Sequence, residues 1–175
     1  MPIILMGYLN PVMQYGLEMF CTDAAAAGVD GLILPDMPLD IYEREFKAFA
    51  IARGLKVIFL ISPTTSEERI RQIDDASDGF IYAVSASSTT GVKGEFNSEQ
   101  VAYFERIKNM KLKNPFLIGF GISGAPTFRS ACTYASGAIV GSAFVSMLGK
   151  STDMKKDTVD FVNNLRQANG QLSTE

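Results

Sequence analysis

Histidine is absent from the 175 residues. Its absence removes the usual general base at neutral pH, the usual zinc ligand, and every Ser-His or Cys-His nucleophile pair. Acid–base chemistry in this chain must fall to carboxylates, lysine or tyrosine. Cysteine is scarce: Cys21 and Cys132 are the two present, and neither has a Cys or His neighbour in sequence. They make neither a disulfide framework nor a metal cluster, and both read as reduced packing residues, with no metal site expected. An excess of positive charge is also missing. Lys and Arg total 16 against 19 Asp and Glu, a formal net charge of -3, so a phosphate backbone is repelled by the field of the whole chain and nucleic acid is set aside. Long apolar runs are lacking too, since no stretch approaches about 20 residues. The opening Met1 to Gly7 has no basic region and too short an apolar run for a secretion signal. A cytoplasmic location without membrane attachment is the expectation.

What is present is the composition of an ordinary globular chain, 47% hydrophobic and 20% charged, long enough to bury a sizeable core. No linker or low-complexity segment divides it, so one domain over 1–170 with a loose tail at 171–175 is expected. Six short apolar runs punctuate the chain: Ile3 to Met6, Gly31 to Leu34, Val57 to Ile61, Gly79 to Val84, Pro115 to Gly119, and Ala138 to Gly141. They are continuous rather than alternating, the pattern of parallel strands covered on both faces by helices.

Between the runs lie helix-period stripes, Ile41, Tyr42, Phe46, Phe49 and Ala50, then Val101, Phe104 and Ile107, and near the end of the chain comes a third, Met154, Phe161, Val162 and Leu165. Each predicts a helix with a core-facing side. Ser66 ahead of Glu67-Glu68, Ser98 before Glu99, and Ser123-Gly124-Ala125-Pro126 mark helix starts, and Gly28 and Gly54 sit where helix C-caps belong. Repeated βα units build either an open doubly wound sheet or a closed barrel. The first strand ends in Gly7-Tyr8-Leu9-Asn10-Pro11 without a dinucleotide fingerprint, and the glycine-rich turns follow the last two strands instead. Barrels place a phosphate site there. The expected fold class is therefore α/β, a (β/α)8 TIM-type barrel that is incomplete, with about six of the eight βα units present.

The strongest chemical constellation is Gly119-Phe120-Gly121-Ile122-Ser123 followed one unit later by Gly141-Ser142-Ala143. Backbone N–H groups of two glycine turns on successive strands can converge on one anion, because no side chain bars the way. Either turn alone is as well explained by tight chain reversal or close helix packing. A second feature is the small, polar loop from Ser85 to Gly94, which in a barrel lies on the catalytic face and can close over a ligand; the plain alternative is a solvated connector.

Several segments resemble, in order and spacing, the alpha chains of tryptophan synthase: Pro2 to Pro11, Ala27 to Pro38, Phe59 to Thr64, Ser85 to Gly91, Gly119 to Ser123, and Val140 to Ala143. The resemblance covers nearly the whole chain. Ser88 departs from it, standing where the family often has glycine. The resemblance implies a barrel lyase that cleaves indole-3-glycerol phosphate to indole and glyceraldehyde 3-phosphate in tryptophan biosynthesis. It implies that Gly91, Gly121, Gly141 and Ser142 hold the phosphate. Tyr8, Ile33, Tyr82, Phe120 and Ile139 would line an indole pocket, though barrel strands are apolar in any case. Thr90 would belong to the closing loop, and Asn10 and Asp36 to a rim facing the partner. That partner would be a beta chain carrying pyridoxal phosphate in an alpha2-beta2 assembly, and this chain would need no cofactor of its own.

The same resemblance places the family's two working carboxylates on strands upstream of Met1, so no catalytic residue is assigned here. Retro-aldol cleavage needs a proton delivered to ring carbon and another removed from a glycerol hydroxyl. The expectation is a truncated chain, inactive alone. Asp36 is on the correct face but is a weak substitute. A non-catalytic phosphate-ligand binder or a module that docks on a beta chain remains open, as does another phosphate-binding barrel enzyme, an isomerase of the same route.

Overall fold

The structure is a computed structural model that describes residues 1–85, 96–119 and 121–167. Helices and strands alternate along the chain, and the chain divides into two compact units, Met1–Tyr82 with Leu112–Pro115, and Ala83–Lys111 with Phe116–Glu175. The tail expected at 171–175 lies outside the described residues, as does residue 170 at the end of the expected domain. No helix among the described residues is long and apolar enough to cross a membrane.

In the first unit, strands β1 (Ile4–Met6), β2 (Gly31–Ile33) and β3 (Lys56–Ile58) form a parallel sheet in that order. Helices α1 (Leu9–Tyr15) and α2 (Leu17–Ala26) connect β1 to β2. From β2 the chain passes through α3 (Leu39–Ile41), a π-helical turn (Tyr42–Phe46) and α4 (Lys47–Ala52) before reaching β3. The apolar run at 57–61 is split: β3 ends at Ile58, and after Phe59 the chain continues as β4 (Leu60–Ile61). Helix α5 (Glu67–Ala76) follows and leads to β5 (Ile81–Val84). Leu32, Val57 and Ile58 of the apolar runs and Phe46 and Ala50 of the first stripe lie in the core, each at most 2% exposed, as does Ile70 of α5, which no run or stripe marked; the first run is not core, since Ile3 to Met6 are exposed. Gly28 (φ 82°) and Gly54 (φ 69°) end α2 and α4 in the left-handed region, where a Cβ is penalised.

Asp74 ties the short segment before the next strand to this unit. Its buried carboxylate accepts from the Lys113 and Asn114 backbone N–H groups at 2.9 and 3.0 Å and from Asn114 Nδ2 at 2.9 Å. A carboxylate so satisfied is compatible with its burial.

In the second unit, β6 (Phe116–Gly119) pairs in parallel with β7 (Gly137–Ile139), Gly119 facing Ile139. Helices α6 (Ser98–Asn109), α7 (Ala125–Tyr134), α8 (Ser142–Leu148) and α9 (Met154–Gln167) belong to the same unit. Phe104, Ile107, Ile118 and Ala131 are at most 1% exposed, and Phe104 meets the rings of Phe96 and Tyr134 at 5.0 and 5.9 Å between centroids. Helix α6 starts at Ser98, as the sequence marks, and its cap is Asn97: Asn97 Oδ1 accepts Gln100 N–H at 2.8 Å while Gln100 Oε1 accepts Asn97 N–H at 3.0 Å, a reciprocal box that a serine one residue later cannot make. One expectation needs correction. Met154 is exposed rather than core-facing, because it is the first residue of α9, whose ring contact to α8 comes two turns later, Phe161 against Phe144 at 5.5 Å.

Candidate functional site

Within the first unit the turn after β1 is fastened to β2 and to the turn beyond it. Gly7 N–H donates to the Ile33 carbonyl at 3.1 Å, and Leu9 N–H donates to both carboxylate oxygens of Asp36, at 2.8 and 3.1 Å. Four of the sequence-predicted residues therefore stand on adjoining chain segments: Tyr8, Asn10, Ile33 and Asp36. Tyr8 is 69% exposed and Ile33 7%, so the phenol stands in the open beside a buried strand residue. Asn10 lies in the first turn of α1 and, like Asp36, is exposed. Tyr82 lies on β5, 7% exposed, with its N–H donating to the Phe59 carbonyl at 2.9 Å. Burial raises the pKa of its phenol, which keeps it neutral and suits it to an apolar wall rather than to proton transfer at neutral pH.

Within the second unit the two glycine turns follow β6 and β7. Gly121 has φ 78°, and no atom lies within 4 Å of where its Cβ would stand. Gly141 is the N-cap of α8 with φ -105°, equally open. Ser142 is the first residue of α8, and both it and Gly141 are exposed. The Gly141 carbonyl accepts the N–H groups of Phe144 and Val145. The N–H groups ahead of these sit in a first turn, which by position has no acceptor inside the helix. Ile139 ends β7 at intermediate exposure. Gly91, Thr90 and Phe120 lie outside the described residues.

Sequence reasoning missed two hydroxyls that shape these turns. Ser85, 2% exposed, donates its Oγ–H and its N–H to the Gly119 carbonyl at 3.1 and 3.2 Å, and so holds the end of β6. Thr127, 6% exposed, accepts from Ser123 and Gly124 N–H groups at 3.0 and 3.2 Å and donates to the Gly124 carbonyl at 3.0 Å. The available signal was a threonine three residues after a helix-starting glycine. Among the described residues no group of His, Cys, Asp or Glu is placed to hold a metal ion. Neither Cys21 nor Cys132 is part of a disulfide, and burial raises the Cys21 thiol to about 11, which suits packing rather than nucleophilic use.

Comparison with known proteins gives one consistent answer. The family model described as "Tryptophan synthase alpha chain" matches residues 1–173. The alpha chain of Bacteroides thetaiotaomicron is 50% identical over 155 residues, covering 89% of this chain and 60% of the relative. That of Flavobacterium johnsoniae is 52% identical over 165 residues, covering 94% and 64%. Among solved structures, the Legionella pneumophila alpha chain superposes with a TM-score of 0.84 at 32% identity, covering 99% of this chain and 64% of that one. A tryptophan synthase complex from Pyrococcus furiosus gives 0.81 at 33%, covering 95% and 66%. The chain thus spans 60% to 66% of the length of these relatives. The fold is α/β of the TIM-barrel class.

Proposed function

This chain belongs to the tryptophan synthase alpha chain family, and from that premise we propose that it supplies the substrate-holding part of a lyase that cleaves indole-3-glycerol phosphate to indole and glyceraldehyde 3-phosphate. The observation that carries the reading is the pair of open glycine turns after β6 and β7, where no atom lies within 4 Å of the place a Cβ would take at Gly121 or Gly141, leaving room for an anion to approach the backbone. A phosphate monoester is the anion that such turns take. Gly91 and Ser142 complete the phosphate set. Tyr8, Ile33, Tyr82, Phe120 and Ile139 receive the indole ring, and Thr90 belongs to the loop that closes over it.

The reaction breaks the bond between indole C3 and the glycerol chain: ring carbon gains a proton, the neighbouring hydroxyl loses one and becomes the aldehyde, and the bonding pair returns to the ring. Each transfer requires a placed acid or base. No residue of this chain is assigned to either transfer; its part in this reading is to bind and orient the substrate. In this reading the chain needs no cofactor of its own. It docks through Asn10, Asp36 and their turns onto a beta chain that carries pyridoxal phosphate, in an alpha2-beta2 assembly in the cytoplasm; the exposure of both residues and the a2b2 complex of the Pyrococcus furiosus protein support the docking. A role as a non-catalytic binder or assembly module is less well supported, since the family match runs through both the pocket and the phosphate segments.

Calorimetry with glycerol 3-phosphate and an assay of indole release from indole-3-glycerol phosphate test the reading together. Weak phosphate binding without turnover is expected of the chain alone, and no binding removes the proposal. Robust turnover would show that the working carboxylates are within the chain, with Asp36 and Glu95 the first to replace.

A further inference from the structure

Helix α1 has no cap of its own. Tyr8 occupies the N-cap position in extended conformation, its side chain makes no capping bond, and no acidic residue lies in the first turn. The acceptor arrives from another turn, because both oxygens of Asp36 take the Leu9 N–H. On the other side of Tyr8, Gly7 N–H is bonded to the Ile33 carbonyl. Tyr8 is therefore held between two anchors, one on β2 and one on the turn that follows β2. The first is a neutral bond in a strand ladder. The second is charge-assisted and placed at a helix N-terminus, where a carboxylate is favoured.

We propose that Asp36 is a positioning residue for the indole-binding part of the site: by capping α1 through Leu9, it sets where Tyr8 stands relative to Ile33. The inference rests on the function proposed above, in which Tyr8 and Ile33 contact the ring, and it gives Asp36 a role separate from the partner-facing rim. Without the carboxylate, the Gly7-Tyr8-Leu9 segment keeps one anchor and can pivot about it. An asparagine retains one accepting oxygen and an alanine none, so the effect is graded.

The experiment compares the parent chain with Asp36→Asn and Asp36→Ala, using two probes and one backbone readout. Amide exchange at Leu9, followed by NMR, reports the cap directly and needs no ligand. Indole affinity reports the ring site, and glycerol 3-phosphate affinity reports the glycine turns of the other unit. Loss of one such bond corresponds to about fivefold to tenfold. The expected result is faster Leu9 exchange and indole binding weakened by that factor in Asp36→Ala, about twofold weakening in Asp36→Asn, and unchanged glycerol 3-phosphate binding in both. Unchanged Leu9 exchange, unchanged indole affinity in the alanine variant, or equal losses for both probes overturns the inference, the last showing a merely structural role. A parent that binds glycerol 3-phosphate but not indole overturns the inference alone; one that binds neither overturns the proposed function and the inference with it. Should Asp36→Ala fail to fold, the asparagine variant decides on the same readouts.

Discussion

Single positions separate binding from folding most cleanly at the glycines. Gly141 has φ -105° and ψ -87° and open space around its missing Cβ, so Gly141→Val meets no clash, at some cost for a β-branched residue at an N-cap, while its side chain fills the approach to the α8 first turn. Calorimetry should then show glycerol 3-phosphate binding abolished while the variant still melts cooperatively; equal binding by the variant removes the phosphate site. Gly31 is the opposite case. A Cβ there would stand 2.9 Å from the Lys56 carbonyl oxygen and 3.2 Å from Ile58 Cδ1, inside the register that pairs β2 with β3. Gly31→Ala should cost about 1 to 3 kcal/mol through overpacking, read as a lower denaturant midpoint. Tyr42 gives a pH prediction. Burial, with Glu43 and Asp78 adding to it, raises its phenol to about 12 from 10.0. The unfolded phenol therefore loses its proton before the folded one, so stability is full below pH 10 and falls as pH rises from 10 toward 12. Urea midpoints measured across that window should decline; a flat profile would show that Tyr42 is not buried as described.

At the scale of the element, caps discriminate between neighbouring polar residues that sequence treats alike. Ser66 Oγ accepts the Arg69 N–H at 3.2 Å, as the Ser66-Glu67-Glu68 pattern predicts. Before α6 the sequence offers Asn97 and Ser98 side by side, and only the backbone decides, because the cap must be extended and its partner three residues on. Asn97 has φ -74° and ψ 169°. Asn97→Ala should therefore cost about 1 kcal/mol, with Ser98→Ala near neutral. Thermal melts of both variants check the order, and reversed costs would move the helix start by one residue.

For the whole molecule the informative surface is β1. It stands at the edge of its three-stranded sheet, and Ile3, Ile4, Leu5 and Met6 are 48%, 38%, 43% and 60% exposed. An apolar edge strand of this kind, unguarded by charge, invites pairing with another chain. Each large apolar side chain left uncovered forgoes about 1.5 to 3 kcal/mol, against a typical total of about 5 to 15 kcal/mol. The chain alone should be marginally stable and should self-associate with rising concentration in sedimentation experiments. A separate peptide corresponding to the part of the relatives that this chain does not match should suppress that association and restore some indole release. A monomeric, stable chain that the peptide does not affect would count against this account of the edge.

Much was legible in the residues because local rules suffice for it. Continuous β-branched runs, helix-period stripes, and glycines where φ turns positive depend on neighbours in sequence, so the strand positions, the α/β class and the glycine turns could be read directly. The resemblance carried by Pro35-Asp36-Met37-Pro38 and by the two glycine turns identified the family. Tertiary structure alone decided the rest. That Asp36 caps a helix starting 27 residues earlier, that Ser85 holds the Gly119 carbonyl 34 residues away, and that Asp74 is buried against Asn114 are contacts between segments distant in sequence, and no period or propensity encodes them. The apolar run at β1 shows the same divide: its composition specifies a strand, but whether that strand is covered depends on what pairs with its free edge.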